Sequence, residues 1–193
     1  MTSSESDVAL MLRVKDGDEE AFRELIERHQ RGVINTIYRA IGDAWEAEDL
    51  AQRVFVQVYR SARRYKPSAK FTTWLFTITH NTILNERRRR ARRSAESLEA
   101  LTESQEPDGA SVQFADEGAA DPSHEAAHRE LHQRIQQAIE QLPPAQRTAV
   151  ILCRFEGLAY EEIAEVLGCS VSAVKSLLHR ARQTLKEQLR GYY

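Results

Sequence analysis

Two stretches of the chain concentrate side chains suited to nucleic acid. In the first, Tyr160–Lys186, the residues Lys175, Ser176, His179, Arg180, Arg182 and Lys186 recur on one side of a helical pattern. The apolar stripe Val171, Val174, Leu178, Ala181 and Leu185 marks its other side. A cationic, hydrogen-bonding helix face that follows a glycine turn has the chemistry of the second helix of a helix-turn-helix, which enters a DNA groove. An ordinary helical hairpin with a solvated basic face has the same spacing. In the second stretch, Phe71–Arg93, the rings of Phe71, Trp74 and Phe76 offer flat faces on which bases stack. Thr72, Thr73, Asn81 and Asn85 are uncharged groups able to read base edges. Six arginines between Arg87 and Arg93, Arg87 and Arg88 first among them, are suited to phosphates. The competing reading puts Trp74, Leu75 and Ile78 in a core and leaves the arginines solvated.

A third stretch, Glu48–Tyr59, projects Asp49, Gln52, Arg53 and Gln57 from a helix whose other side is strongly apolar. A face of mixed charge beside apolar residues suits a protein partner, and a solvated helix face is the plainer alternative. Catalytic constellations are missing from the sequence: there is no phosphate-binding glycine loop, dinucleotide glycine pattern or nucleophile elbow. His124, His128 and His132 lie four apart, a spacing that a weak metal site and a solvated face share. No resident metal or cofactor is expected. Cys153 and Cys169 form no metal-spaced pair and read as core filler in a reducing cytosol.

The elements that must position these groups are all helical. A short helix spans about 7–15, with Asp7 as its N-cap. A longer one runs from Ala21 to Ile41 and stops at Gly42-Asp43. A third covers Ala44–Arg64, with Ala47, Leu50, Ala51, Val54, Phe55, Val58 and Tyr59 as its stripe. Lys66-Pro67-Ser68 is a loop, because the residue before a proline avoids the helical region. A fourth helix begins near Thr72 and ends near Arg92. From about Ala126 helical spacing returns, Pro143-Pro144 opens a further helix as proline suits a first turn, and Gly157 and Gly168-Cys169-Ser170 punctuate the rest. No alternating strand pattern occurs.

Charge divides the chain in the same places. The formal net charge is −2, yet residues 1–93 hold 18 Lys/Arg against 13 Asp/Glu, residues 94–125 hold nine Asp/Glu and no Lys or Arg, and residues 126–193 hold nine against seven. The middle segment is rich in Ser, Glu, Asp, Ala, Gly and Pro and too poor in large apolar residues to offset its ordering entropy. It reads as a linker with at most a helical turn near Leu98–Leu101. No apolar run reaches the roughly 18–20 residues of a membrane span, and MTSSESDVAL lacks the basic-then-apolar order of a secretory signal.

AEDLAQRVF, FTTWLFTITHN with its arginine run, and LPPAQRTAVILCRFEGLAYEEIAEVLGCSVSAVKSLLHRAR, in that order, resemble sigma factors of bacterial RNA polymerase, most closely the extracytoplasmic-function (ECF) group. The resemblance spans nearly the whole chain except the linker. It implies an all-α protein of two helical domains: sigma-2 over 1–93, a flexible acidic linker over 94–125, and sigma-4 with a helix-turn-helix over 126–193. The implied partners are the clamp helices and flap of the polymerase core, promoter DNA and an anti-sigma factor, in the cytoplasm and without membrane insertion. By position it places Asp49, Leu50, Gln52, Arg53, Val54 and Phe55 on the polymerase-binding helix. It places Lys70, Phe71, Thr72, Trp74, Asn81, Asn85, Arg87 and Arg88 on the −10 region. Lys175, Ser176, His179, Arg180 and Arg182 fall on the −35 helix. The implied mechanism is capture of an unstacked base and not catalysis. Five positions depart from the family pattern: Arg53 replaces an acidic residue, Ser172-Ala173 a Gly-Thr pair, Leu177 an arginine, and Ala159 a serine cap. The alternative is a stand-alone helix-turn-helix regulator that binds duplex DNA without polymerase.

Overall fold

The computed structural model describes residues 5–100, 131 and 134–190, and among them every regular element is a helix. Helix α1 is Asp7–Lys15, α2 is Glu19–Ile41, and α3 is Ala44–Ser61 followed by a 3-10 turn, Ala62–Arg64. α4 is Phe71–Ala100, α5 comprises residues 134–140, α6 is Pro144–Arg154, α7 is Tyr160–Leu167 and α8 is Val171–Gln188.

Short polar side chains set the helix starts. Asp18 accepts the Ala21 N–H at 3.1 Å, Asp43 that of Glu46 at 3.0 Å, and Ser170 that of Ala173 at 3.2 Å, each satisfying an amide that has no intrahelical partner. The cap of α1 is Ser6, whose Oγ accepts the Ala9 N–H at 3.3 Å, and not Asp7. Asp7 instead turns its carboxylate to α2, where it meets Arg28 at 2.7 Å and His29 Nε2 at 2.8 Å. Gly42 and Gly168, with φ of 83° and 63°, close α2 and α7 in the left-handed conformation.

Two sequence expectations about boundaries change. α3 ends three residues before Arg64, where the chain tightens into the 3-10 turn. α4 continues past Arg92 through Ser94–Ala100: SAESLEA holds good helix formers and neither Gly nor Pro, so nothing stops the helix where its charge changes sign. The remainder of the acidic segment, with His124, His128 and His132, lies outside the described residues.

Helices α1–α4 enclose one core, in which Leu25, Ile37, Leu50, Val54 and Leu75 are at most 1% exposed. Burial of each such side chain contributes about 1.5–3 kcal/mol. Helices α6–α8 enclose a second around Leu152, Ile163, Val174 and Ala181. The two cores share boundaries. Phe76 of α4 packs into the second, and Ile139 and Ile151 pack into the first. Polar contacts stitch the same seam. Thr36 Oγ1 donates to Glu156 Oε1 at 2.7 Å, and Arg147 donates to the Ala40 carbonyl at 2.7 Å. The Arg39 guanidinium sits 4.0 Å from the centre of the Phe155 ring.

Candidate functional site

The α3 face separates into two roles. Leu50 and Val54 are 1% and 0% exposed, so they hold the helix in its core and are not available to a partner. The 3.6-residue period that groups them with Ala47, Ala51 and Val58 accounts for this. Asp49, Gln52 and Arg53 are exposed, and Phe55 is buried at the rim. Phe55 lines a largely apolar groove of about 510 Å³ between α2 and α3, along with Phe22, Ile26 and Ile34 of α2 and Val56 and Tyr59 of α3. The Phe22 and Tyr59 rings meet at 5.1 Å. Val56 and Tyr59 remain 49% and 46% exposed, large apolar surface at a groove mouth. The α2 contribution was not singled out by sequence reasoning. Its signal is the row Phe22, Ile26, Ile34 running beside the core row Ala21, Leu25, Val33, Ile37, an apolar arc wider than one core needs.

Arg53 answers two carboxylates: Asp49 on its own helix at 2.6 Å and Glu86 of α4 at 3.8 Å. Glu86 is 4% exposed and also receives Arg89 at 2.8 Å and Arg90 at 3.9 Å. A carboxylate this deep requires cationic partners, which gives the arginine at position 53 a structural purpose.

The start of α4 differs from the stacking platform that its aromatics suggest. Phe71 and Phe76 are 2% and 4% exposed. Trp74 is half-buried and packs at 4.9 Å edge-on to Tyr65 and at 6.0 Å to Phe71. These rings brace the loop before α4 against α1 and α2, with His29 at 5.3 Å from Phe71. Thr72 is half-buried, and Thr73 is buried and donates to Glu162 of α7 at 3.2 Å. Lys70 is exposed, with its Nζ 3.2 Å from the same carboxylate oxygen of Glu162.

Further along α4 the side chains open to solvent. Asn81 and Asn85 are exposed, one turn apart, and line a cleft of about 650 Å³ between α3 and α4. Ile78 lies in the same cleft and Trp74 does not. The arginine run also divides. Arg87 is half-buried and donates to the Ala40 carbonyl at 2.8 Å, and burial pulls its pKa below the usual range. Arg90 meets Glu46 of α3 and, with Arg89, faces Glu86. Arg88, Arg92 and Arg93 are exposed.

α8 presents Lys175, Ser176, His179, Arg180 and Arg182 to solvent, opposite buried Val174, Leu178 and Ala181. Ser176 donates to the Ser172 carbonyl at 3.0 Å, which leaves its oxygen free to accept. Leu177 packs on the second core, so its place on the helix is flank and not face. Ala159 offers α7 no side-chain oxygen; Glu162 Oε2 accepts the Ala159 N–H at 2.8 Å and supplies half of a capping box. Among the described residues no cluster of His, Cys, Asp and Glu is arranged for a metal, and no helix is long and apolar enough to cross a membrane.

This architecture has known counterparts. The family described as sigma-70 region 2 matches residues 25–93, and sigma-70 region 4 matches residues 132–185. The chain is 35% identical to the RNA polymerase sigma-H factor of Pseudomonas aeruginosa over 189 residues, 98% of this chain and 96% of that one. It is 33% identical to the ECF RNA polymerase sigma factor SigW of Bacillus subtilis, over 92% and 94% of the two chains. Among solved structures, the sigma factor RpoE of Bartonella quintana in complex with the anti-sigma factor NepR superposes with a TM-score of 0.70 at 25% identity, covering 88% of this chain and 97% of that one. CnrH, solved with the cytosolic domain of CnrY, shares the fold with a TM-score of 0.68 over 96% and 98% of the two chains. Both sigma-70 regions are present in order, and the identity to curated ECF factors extends along almost the entire chain. This protein therefore belongs to the sigma-70 family of RNA polymerase sigma factors, in its ECF group.

Proposed function

We propose that this sigma factor divides promoter selection among three surfaces. The apolar α2/α3 groove, with Asp49, Gln52 and Arg53 beside it, docks a helical segment of the core polymerase. Exposed apolar surface between two helices, rimmed by charge, is suited to an amphipathic partner helix. The exposed side of α4, with Asn81, Asn85 and Arg88, holds the opened −10 strand. The face of α8 with Lys175, Ser176, His179, Arg180 and Arg182 reads the −35 duplex. The domains that carry this division are sigma-2 over 1–93 and sigma-4 over 126–193. In these roles the chain is a regulatory subunit that captures DNA and performs no chemical step, and it works in the cytoplasm beside the polymerase. RpoE of Bartonella quintana, solved with NepR, supports an anti-sigma factor as a further partner.

The observation that carries this reading is the presence, on one chain, of a partner-sized apolar groove and an independently exposed basic recognition helix. A stand-alone regulator needs only the second. Transcription in vitro with core polymerase and a promoter library is the test. Initiation that depends on this chain and is confined to a subset of promoters is expected. Tight duplex binding by the free chain with no polymerase-dependent initiation would favour the stand-alone regulator.

A further inference from the structure

The cleft between α3 and α4 joins two sets of residues that the sequence separates into a polymerase helix and a DNA helix. Asn81 and Asn85 form its α4 wall, and Gln57 faces them from α3. Ile78 and Val56 supply apolar surface, and Val56 is 49% exposed, so a flat group entering the cleft would bury it. At about 650 Å³ the space lies within the range of roughly 300–1,000 Å³ that holds small organic ligands. Its charge also favours a nucleotide. Asp49 is the lone carboxylate lining the cleft, and Arg53 covers it at 2.6 Å, which leaves the Arg60 guanidinium as the uncompensated charge at the rim.

Gln57 is well placed for specificity. Its Nε2 donates to Ser61 Oγ at 3.1 Å, one turn along the helix, which fixes the carboxamide. The second N–H and the carbonyl oxygen remain for a base edge, a donor–acceptor pair matched by the two asparagines opposite. One hydrogen-bonded carboxamide and two exposed asparagine amides around an apolar strip, with the Arg60 cation at the rim, form a site for an unpaired nucleobase with its phosphate outside.

We infer that the α3/α4 cleft receives one unpaired base of the opened promoter strand and that Gln57, from the helix otherwise assigned to polymerase docking, reads its edge together with Asn81 and Asn85. This rests on the α4 reading above and extends it to α3. Gln57 is the residue to test, because Arg60, Gln52 and Val56 stand on the ridge shared with the apolar groove, whereas Gln57 lines the cleft alone.

The test uses the full chain assembled with core polymerase and promoter duplexes that carry a pre-opened bubble with the unpaired segment randomised. Captured DNA is sequenced for the wild type, Gln57→Glu, Gln57→Ala and Asn81→Ala. Glutamate keeps the shape and removes the donor, so Gln57→Glu should shift preference by about tenfold at one unpaired position, toward a base that presents an amine. Gln57→Ala and Asn81→Ala should relax that same position. If Asn81→Ala relaxes a position and both Gln57 variants select as wild type, the α3 assignment is overturned and the α4 reading stands. If no variant changes any position, both fall. Loss of polymerase binding in Gln57→Ala, with thermal unfolding unchanged, would make Gln57 a docking residue and overturn the inference as well.

Discussion

Lys70 Nζ lies 3.2 Å from Glu162 Oε1, so a lysine of the N-terminal helical unit is held by the helix that precedes the recognition turn of the C-terminal unit. Thr73 donates to the same oxygen. Lys70 belongs to the −10 region by resemblance, and in this arrangement the sigma-4 side occupies it. The pair is largely exposed on the lysine side, a class of contact that contributes only about 0–1 kcal/mol. The seam between the units therefore depends on its buried and half-buried members: Phe76, Arg147 on the Ala40 carbonyl, and Thr36 on Glu156.

Glu156 gives that seam a pH dependence. Burial pushes its carboxyl above the ordinary glutamate range, while the Thr36 hydroxyl and the Arg39 guanidinium pull it partly back. A raised acid pKa means that the packed state holds the proton more tightly than an opened state would. Packing is therefore favoured below the raised value and weakens as pH rises through it. Glu162 opposes this: its pKa is lowered by the Ala159 N–H first, then by Lys70 and Thr73, so its share is lost at still lower pH. Small-angle scattering of the free chain should show expansion as pH rises from the ordinary carboxylate range through the raised Glu156 value. Glu156→Gln, which keeps an acceptor for Thr36, should remove most of the change. An equal expansion in that variant would place the titrating group elsewhere.

The N-terminus of α7 is half capped, with Glu162 serving the Ala159 amide and no side-chain oxygen serving the amides of the first turn. Ala159→Ser supplies that oxygen at a position already in extended conformation, with φ −68° and ψ 159°. A gain of about 0.5–2 kcal/mol is expected, read as a raised denaturation midpoint of the full chain. An unchanged or lowered midpoint would mean that solvent already serves those amides as well.

The exposed basic face of α8 was legible because its evidence is local. Val174, Leu178 and Ala181 turn inward at helical spacing, and the residues between them have nowhere to go but out. The same rule applied to α3 separates Leu50 and Val54 from Asp49 and Gln52 once the core stripe is drawn. What sequence reasoning missed depends on residues far apart in the chain. Phe71 and Phe76 look like stacking surfaces until Tyr65, Trp74 and the second core enclose them. Arg87 looks like a phosphate ligand until the Ala40 carbonyl, 47 residues away, takes its guanidinium. The apolar groove needs α2 and α3 side by side, and no single helix displays it.

On α8, Lys175 and Arg182 are exposed with no competing ion pair among the described contacts. Lys175→Ala and Arg182→Ala should each weaken binding to a selected −35 duplex by about 1–3 kcal/mol where the side chain meets a base edge. A phosphate contact would instead lower affinity for all sequences alike and flatten the salt dependence. Titrating each variant against selected and scrambled duplexes at two ionic strengths separates these cases. Wild-type affinity in both variants would move the recognition face elsewhere.

Asn81 and Asn85 carry the most specific expectation. They are exposed one turn apart on α4, over the apolar surface of Ile78 and away from the buried aromatics at the helix start. An amide carries donors and an acceptor and no charge, so it distinguishes base edges without drawing phosphate. Extruding a base costs a few kcal/mol, which contacts made only to the open strand must offset. Their loss should therefore affect opening far more than first encounter. The double variant Asn81→Ala, Asn85→Ala is expected to bind core polymerase and to form the closed promoter complex as wild type does, and to fail at strand separation. A promoter supplied with a pre-opened bubble should recover part of the transcript yield, because the unpairing cost has been removed. Permanganate reactivity of thymines around −10 in the duplex promoter reads the step directly. Reactivity at the wild-type level in the double variant would show that these amides do not hold the open strand.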